Sequence, residues 1–370
     1  MNVWREMKLG DFVTLQRGHD LTEQERRPGN VPVVGSAGIH GYHDTAKAEG
    51  PGVTVGRSGA SFGVVTYCPQ NFWPHNTALY VIDFHGNDRR FAYYLLKTLK
   101  FSCFNSGSAQ PSLNRNFIHP IPVRAPTLPV QQAISDALGA LEDKIECNRR
   151  INDLLLNMAR ALFHHWFVDG DDEVDPQPLT DFVEVDPTIR VQKGKEVPYV
   201  DMRALPTDGI SVSDVARRPA VSGSRFQNGD TLFARITPCL ENGKTAFVDF
   251  LADDEAGVGS TEFIVLRAKP GVSPQFVCCC ARSSELRAHA IKSMVGTSGR
   301  QRVRPECFEH FRLKRFAPQT MREFHEQTLP WFQQIRVNVK ENQILARTRD
   351  YLLPKLLSGE AEVKEVEGVV

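Results

Sequence analysis

A pair of asparagines interrupts an apolar seam, and the same interruption returns later in the chain. Positions at alternating spacings of three and four run Ile134, Leu138, Leu141, Ile145, Asn148, Asn152, Leu155, Ala159, Leu162 and Trp166. A second series runs Phe324, Thr328, Trp331, Ile335, Asn338, Asn342, Leu345, Arg349, Leu352 and Leu356, each its counterpart plus 190, as 338 − 148 shows. This spacing is the seam of a coiled coil. Two unrelated amphipathic helices would share no common frame, so ten matched positions point to a duplication. At 33 residues in the core frame, each helix would be ~50 Å long.

The repeat reaches beyond the helices. Asp11-Phe12-Val13 recurs as Asp181-Phe182-Val183, and Val31-Pro32-Val33-Val34 as Val197-Pro198-Tyr199-Val200. Gly52 to Val55 matches Gly229 to Leu232, followed by Arg57 and Arg235. Asn76 to Val81 matches Ser260 to Val265, and Phe91 to Tyr94 matches Phe276 to Cys279. The offset drifts as insertions in surface loops would make it drift.

Each half therefore reads as a globular domain followed by a long helix. The expected boundaries are a first domain over 1–128, a helix over 129–168 and an acidic linker over 169–178. A second domain over 179–318, a helix over 319–358 and an acidic, frayed tail over 359–370 follow. Short β-type runs separated by Gly, Pro and Asn predict mixed α/β domains, each with a curved sheet. A helix is expected in each, about Arg90–Phe101 and Pro274–Met294. The short linker puts the second domain at the far end of the first helix, so the second helix can run back antiparallel. A pseudo-twofold axis would then relate the halves, with Asn148 near Asn342 and Asn152 near Asn338. Buried Asn pairs lower stability but fix register; the alternative is that they face solvent or a partner. Pro330 should kink or break the second helix near its start.

Lys+Arg and Asp+Glu both number 44, so the net charge is zero. That counts mildly against a nucleic-acid binder, but the placement of charge matters more than its sum. No apolar run approaches a membrane span, and the chain reads as soluble and cytoplasmic. The eight cysteines form no Cys-x-x-Cys pair and read as reduced structural thiols.

No phosphate loop, dinucleotide fingerprint, metal set or Asn/Asp-Pro-Pro-aromatic tetrapeptide is present, so nothing calls for catalysis. The carboxylate and lysine of Glu241-Asn242-Gly243-Lys244 have the wrong spacing for a nuclease and read better as a turn, with Lys244 a candidate cation. Basic loops carry more information. Eight Lys/Arg against three Glu lie between Glu285 and Arg315. The loop Gly296–Arg304 holds Arg300, Gln301, Arg302 and Arg304; its first-half counterpart, Ser106–Arg115, holds Gln110, Asn114 and Arg115, with Gln110 aligned to Gln301. A second pair of loops holds Arg57, Ser58 and Ser61 against Arg235 and Thr237. Each could be a solvated turn, yet such residues also suit phosphate and base-edge contacts in duplex DNA.

With its domain–helix–domain–helix duplication, the chain resembles the specificity subunit of type I restriction–modification systems over essentially its whole length. The resemblance also rests on Gly107, Gln110 and Phe117, on Gly299, Gln301 and Phe308, on Ile121-Pro122-Val123 with Pro126 and Gln131-Gln132, and on Leu352 to Gly359. Glu-Gln is common in that family where this chain has Gln131-Gln132. The resemblance implies two target-recognition domains reading a bipartite site in double-stranded DNA across a coiled-coil spacer. It implies two modification subunits that carry S-adenosylmethionine and methylate adenine, and restriction subunits that cleave DNA using ATP. No cofactor would reside in this chain.

Overall fold

The computed structural model describes residues 4–105, 111–169, 176–297 and 300–363. It divides into two compact units, residues 1–145 with 344–370, and residues 146–343.

In the first unit, four antiparallel strands lie in the order Thr14–Arg17, Ala78–Asp83, Gly52–Gly56, Val65–Cys68. Gly52–Gly56 is buried along its length. A second sheet pairs Val31–Gly35 with Gly38–His43 and, in parallel, with Trp73–Pro74. Arg5–Lys8 pairs with Pro122–Ala125. The helix Arg89–Thr98 starts at Asp88, whose side chain accepts from the Phe91 N–H at 2.7 Å. Phe91, Tyr94 and Leu95 enter one core with Phe12, Val53, Val55, Ile134, Leu138 and Leu356. Gln131 ties the long helix to this core: its Nε2 donates to Asn87 Oδ1 and Pro126 O, and its Oε1 accepts from the Asp88 N–H, all at 2.9 Å.

The second unit repeats the plan. Its strands run Val183–Val185, Phe263–Ala268, Thr231–Ala234, Thr245–Phe247, beside a second sheet ordered Ala216–Pro219, Glu196–Val200, Gly257–Gly259, Ser224–Phe226. Gln177–Pro178 pairs with Arg312–Leu313, so the end of the stretch read as linker is a strand. Phe163, Phe167, Phe276 and Phe324 form an aromatic centre, with Phe167 at 4.8 Å from Phe276 and 5.2 Å from Phe324. Burying each such ring is worth ~1.5–3 kcal/mol.

The duplicated mixed α/β architecture is as expected, with several small sheets in each unit in place of one curved sheet. The pairings also correct the alignment of the halves. Thr54 lies opposite Tyr80 and Leu232 opposite Val265, giving offsets of 178 and 185 where the sequence match gave 177 and 184. Strands buried on both faces look alike after a one-residue slip, but in a sheet that slip turns every side chain to the other face. The helix expected over Pro274–Met294 is two, Pro274–Ala281 and Ser284–Lys292, because Ser283 Oγ accepts from the Leu286 N–H and starts a new helix.

The first long helix spans Leu128–Phe163 and closes with a wider turn over His164–Val168; the second spans Pro318–Ser358. Within the second unit, Asn148 Nδ2 donates to Asn342 Oδ1 at 2.9 Å and Asn338 Nδ2 to Asn152 Oδ1 at 2.8 Å. Within the first, Arg349 lies 3.6 Å from Glu142. The two Asn pairs run antiparallel, and in the first unit the core shared by Leu356 and Ile134, with Arg349 at Glu142, has the same sense. Pro330 does not break the second helix. It and Glu326, whose carbonyl loses its usual donor, are both exposed, so water can replace the missing bond. The start of the tail is not frayed: the Ala361 N–H donates to Lys355 O at 3.1 Å, and Ala361 and Val363 pack on the first core. Residues 364–370 lie outside the described ones. Among the described residues no helix is long and apolar enough to cross a membrane.

Candidate nucleic-acid interface

Arg57 leaves the buried strand Gly52–Gly56. Its N–H donates to Thr77 O at 2.8 Å and its carbonyl accepts from the Leu113 N–H at 2.8 Å. Arg235 leaves Thr231–Ala234 in the same way, donating to Glu262 O at 3.0 Å and accepting from the Val303 N–H at 2.8 Å. Ser58 bridges Ser112, as Ile236 bridges Arg302. In both units, then, two loops distant in sequence are clamped together around one arginine. The loop offset is 190 (303 − 113), which pairs Gln301 with Pro111 and corrects the match to Gln110. Gln110, with Gly107 and Gly299, lies outside the described residues.

In the first unit this clamp forms one wall of a cleft of about 680 Å³, lined by Gln16–Asp20, Arg57, Leu79 and Ser112–Arg115. Arg17, Arg57 and Arg115 outnumber Asp20, which pairs with Arg17 at 3.4 Å. His19 Nε2 lies 3.2 Å from Tyr80 Oη. Asn114 Oδ1 accepts from the Asn116 N–H at 3.0 Å, which leaves its amide donors for a ligand. Ser61 does not line the cleft; it serves the turn behind it, where its carbonyl accepts from the Val64 N–H.

The second unit has a smaller cleft, about 440 Å³, with Asp186–Ile189, Arg225, Arg235 and Thr261 in its wall. Burial raises the pKa of Asp186, partly opposed by its bond from the Val265 N–H and by Arg235. Nε of Arg235 and Oγ1 of Thr237 are buried with no hydrogen-bond partner among the described residues. The Thr237 N–H donates to Gln301 O at 3.1 Å. Arg300 and Arg304 are exposed. Lys244 is placed differently from a free cation: its Nζ donates to Met202 O at 2.9 Å inside the fold. Arg302 is held by Glu262 in a fork with a shortest contact of 2.7 Å.

The sequence reading missed Gln16–Asp20 and Asp186–Ile189. Each lies at or just after the end of the first strand of its four-stranded sheet, Thr14–Arg17 or Val183–Val185, just past the Asp11 and Asp181 match, so the repeat had marked them. Among the described residues no group of side chains is arranged to hold a metal.

Comparison with known proteins gives this geometry its relatives. Residues 1–157 match the family described as "Type I restriction modification DNA specificity domain". The chain is 23% identical to the type I restriction enzyme MjaIX specificity subunit of Methanocaldococcus jannaschii, over 77% of this chain and 72% of that one. It is 30% identical to the EcoAI specificity subunit of Escherichia coli over 36% of this chain, a stretch that is 23% of that relative. The solved S subunit from M. genitalium shares the fold, with a TM-score of 0.62 at 16% identity over 96% of both chains. The chain is thus similar to type I specificity subunits, in sequence over its first part and in fold over nearly its whole length. Specificity subunits are the non-catalytic subunits of type I systems. The family match ends within the first long helix, and the duplication carries the clamp at Arg57 into the rest of the chain at Arg235.

Proposed function

We propose that this chain is a specificity subunit that reads a two-part sequence in double-stranded DNA, one part with each unit, with the paired helices as spacer. The observation that carries this reading is the repeated clamp around Arg57 and Arg235. It fixes a cation beside a polar cleft twice, through the same two backbone bonds, while the cleft residues differ. Cations suit phosphates, and Gln16, Asn114 and Thr188 suit base edges. Different linings would read different bases.

The subunit docks two modification subunits, which carry S-adenosylmethionine and methylate adenine. Restriction subunits join that complex and use ATP, all in the cytoplasm. A chain with zero net charge then shares phosphate contact with its partners. Mobility-shift competition with the assembled complex tests the reading: a duplex containing the target should outcompete random duplex by about a thousandfold or more. Equal competition by every sequence would refute it and leave a protein scaffold without DNA specificity.

A further inference from the structure

Three arginines lie in the loop after Gly299, and the structure separates one from the others. Arg302 Nε donates to both carboxylate oxygens of Glu262, at 3.0 and 2.9 Å, and its Nη2 donates to Oε1 at 2.7 Å. Its backbone is fixed too: N–H and carbonyl exchange bonds with Val295, both at 3.0 Å. Arg300 and Arg304 are exposed and make no side-chain hydrogen bond or ion pair with a described residue.

We propose that Glu262 positions Arg302 as a base-edge reader that selects guanine in the part of the target read by the second unit, while Arg300 and Arg304 contact phosphate. This rests on the DNA-reading function proposed above. Charge supplies the first argument. A carboxylate in forked contact cancels most of the field of Arg302, so on meeting a phosphate it would release few counterions. Arg300 and Arg304 keep their full charge.

Geometry supplies the second. Glu262 takes the Nε edge of the guanidinium and one Nη2 hydrogen. The end-on pair of Nη1–H and the remaining Nη2–H is left, and 43% of the side chain is exposed. Two parallel donors in a fixed plane match O6 and N7 of guanine in the major groove. Anchoring side chain and backbone before binding removes the ordering cost that a free arginine would bear. The Arg302 bond also holds the Glu262 carboxyl below its ordinary range, which keeps it ionised at neutral pH.

The first unit provides the contrast. Ser112 stands where Arg302 stands, and Thr77 where Glu262 stands, by the shared bonds at Arg57 and Arg235. Two hydroxyls cannot present this fork, so this braced arginine reader belongs to the second unit.

Selection from a randomised duplex library tests the proposal, using the full chain in complex with its modification subunits at several salt concentrations. Arg302→Gln and Glu262→Ala should each relax one guanine position in one part of the motif, by roughly tenfold or more, with the other part intact. The salt dependence of Arg302→Gln should stay that of the wild type. Arg300→Gln should keep every base preference and lower the salt slope by about one. The reversed pair, Glu262→Arg with Arg302→Glu, keeps an ion pair to hold the loop and should still lose the guanine. Retention of that guanine in the reversed pair or in Arg302→Gln would overturn the proposal, leaving the pair as a brace. A lower salt slope in Arg302→Gln with all preferences intact would make Arg302 a phosphate contact and overturn it as well. A wild-type complex that selects no two-part motif would overturn the underlying reading, and this proposal with it.

Discussion

Asn152 Oδ1 accepts a hydrogen bond from Asn338 Nδ2 at 2.8 Å, where two antiparallel helices meet. Asn338 is 3% exposed, and its Oδ1 accepts from Gln334 Nε2 at 2.8 Å. Asn338→Leu alone would take a donor from Asn152 and an acceptor from Gln334. It should cost about 1–3 kcal/mol, read as a lower urea midpoint. Adding Asn152→Leu should recover most of the loss, because both polar partners then leave the seam together.

If the helices are the spacer, their length sets the gap. Inserting one heptad into each should lengthen the pair by ~10 Å, about three base pairs at ~3.4 Å each. Binding to targets with systematically varied gaps measures this, with the optimum moving by about three base pairs and both specific parts unchanged.

The long helices were legible because a 3.5-residue period survives in the sequence, and because duplication gives each polar interruption a mirror position. The strand register was not. Val53–Val55 and Leu232–Ala234 are buried on both faces, so no alternation marked which residues were equivalent. The roles of Lys244 and Arg302 were hidden for a different reason. Their partners, Met202 and Glu262, lie 42 and 40 residues away and meet them only through the fold. A basic loop in sequence is a count of charges; which charges remain unpaired is a tertiary property.

Asp249 gives the second unit a pH dependence. Burial raises its carboxyl pKa to about 6, against the opposing pull of Arg336 and Lys340 on the second long helix. A carboxyl raised in the folded state binds its proton more tightly there than in the unfolded chain. Stability therefore falls as pH rises from about 4 to 6, and the penalty is complete above that. Asp249→Asn should flatten that slope and raise stability at pH 7 by at most about 3 kcal/mol, measured by urea denaturation across the window.

Gly18 lets the first cleft close against its own wall. A Cβ there would lie 2.2 Å from His75 O and 2.6 Å from Pro74 O, both backbone atoms. Gly18→Ala must displace the strand end that carries Arg17 and His19. Affinity for the specific duplex should fall about tenfold or more, equivalent to ~1.4 kcal/mol. In library selection, the part of the motif assigned to the first unit should blur while the other part stays sharp.

The central claim is two reading units on one spacer, and an adenine-methylation map of cells expressing the chain with its modification subunits tests it most directly. The account predicts one motif of two specified parts, separated by a fixed number of unspecified base pairs. A single continuous motif, or methylation at parts whose separation varies freely, would contradict it.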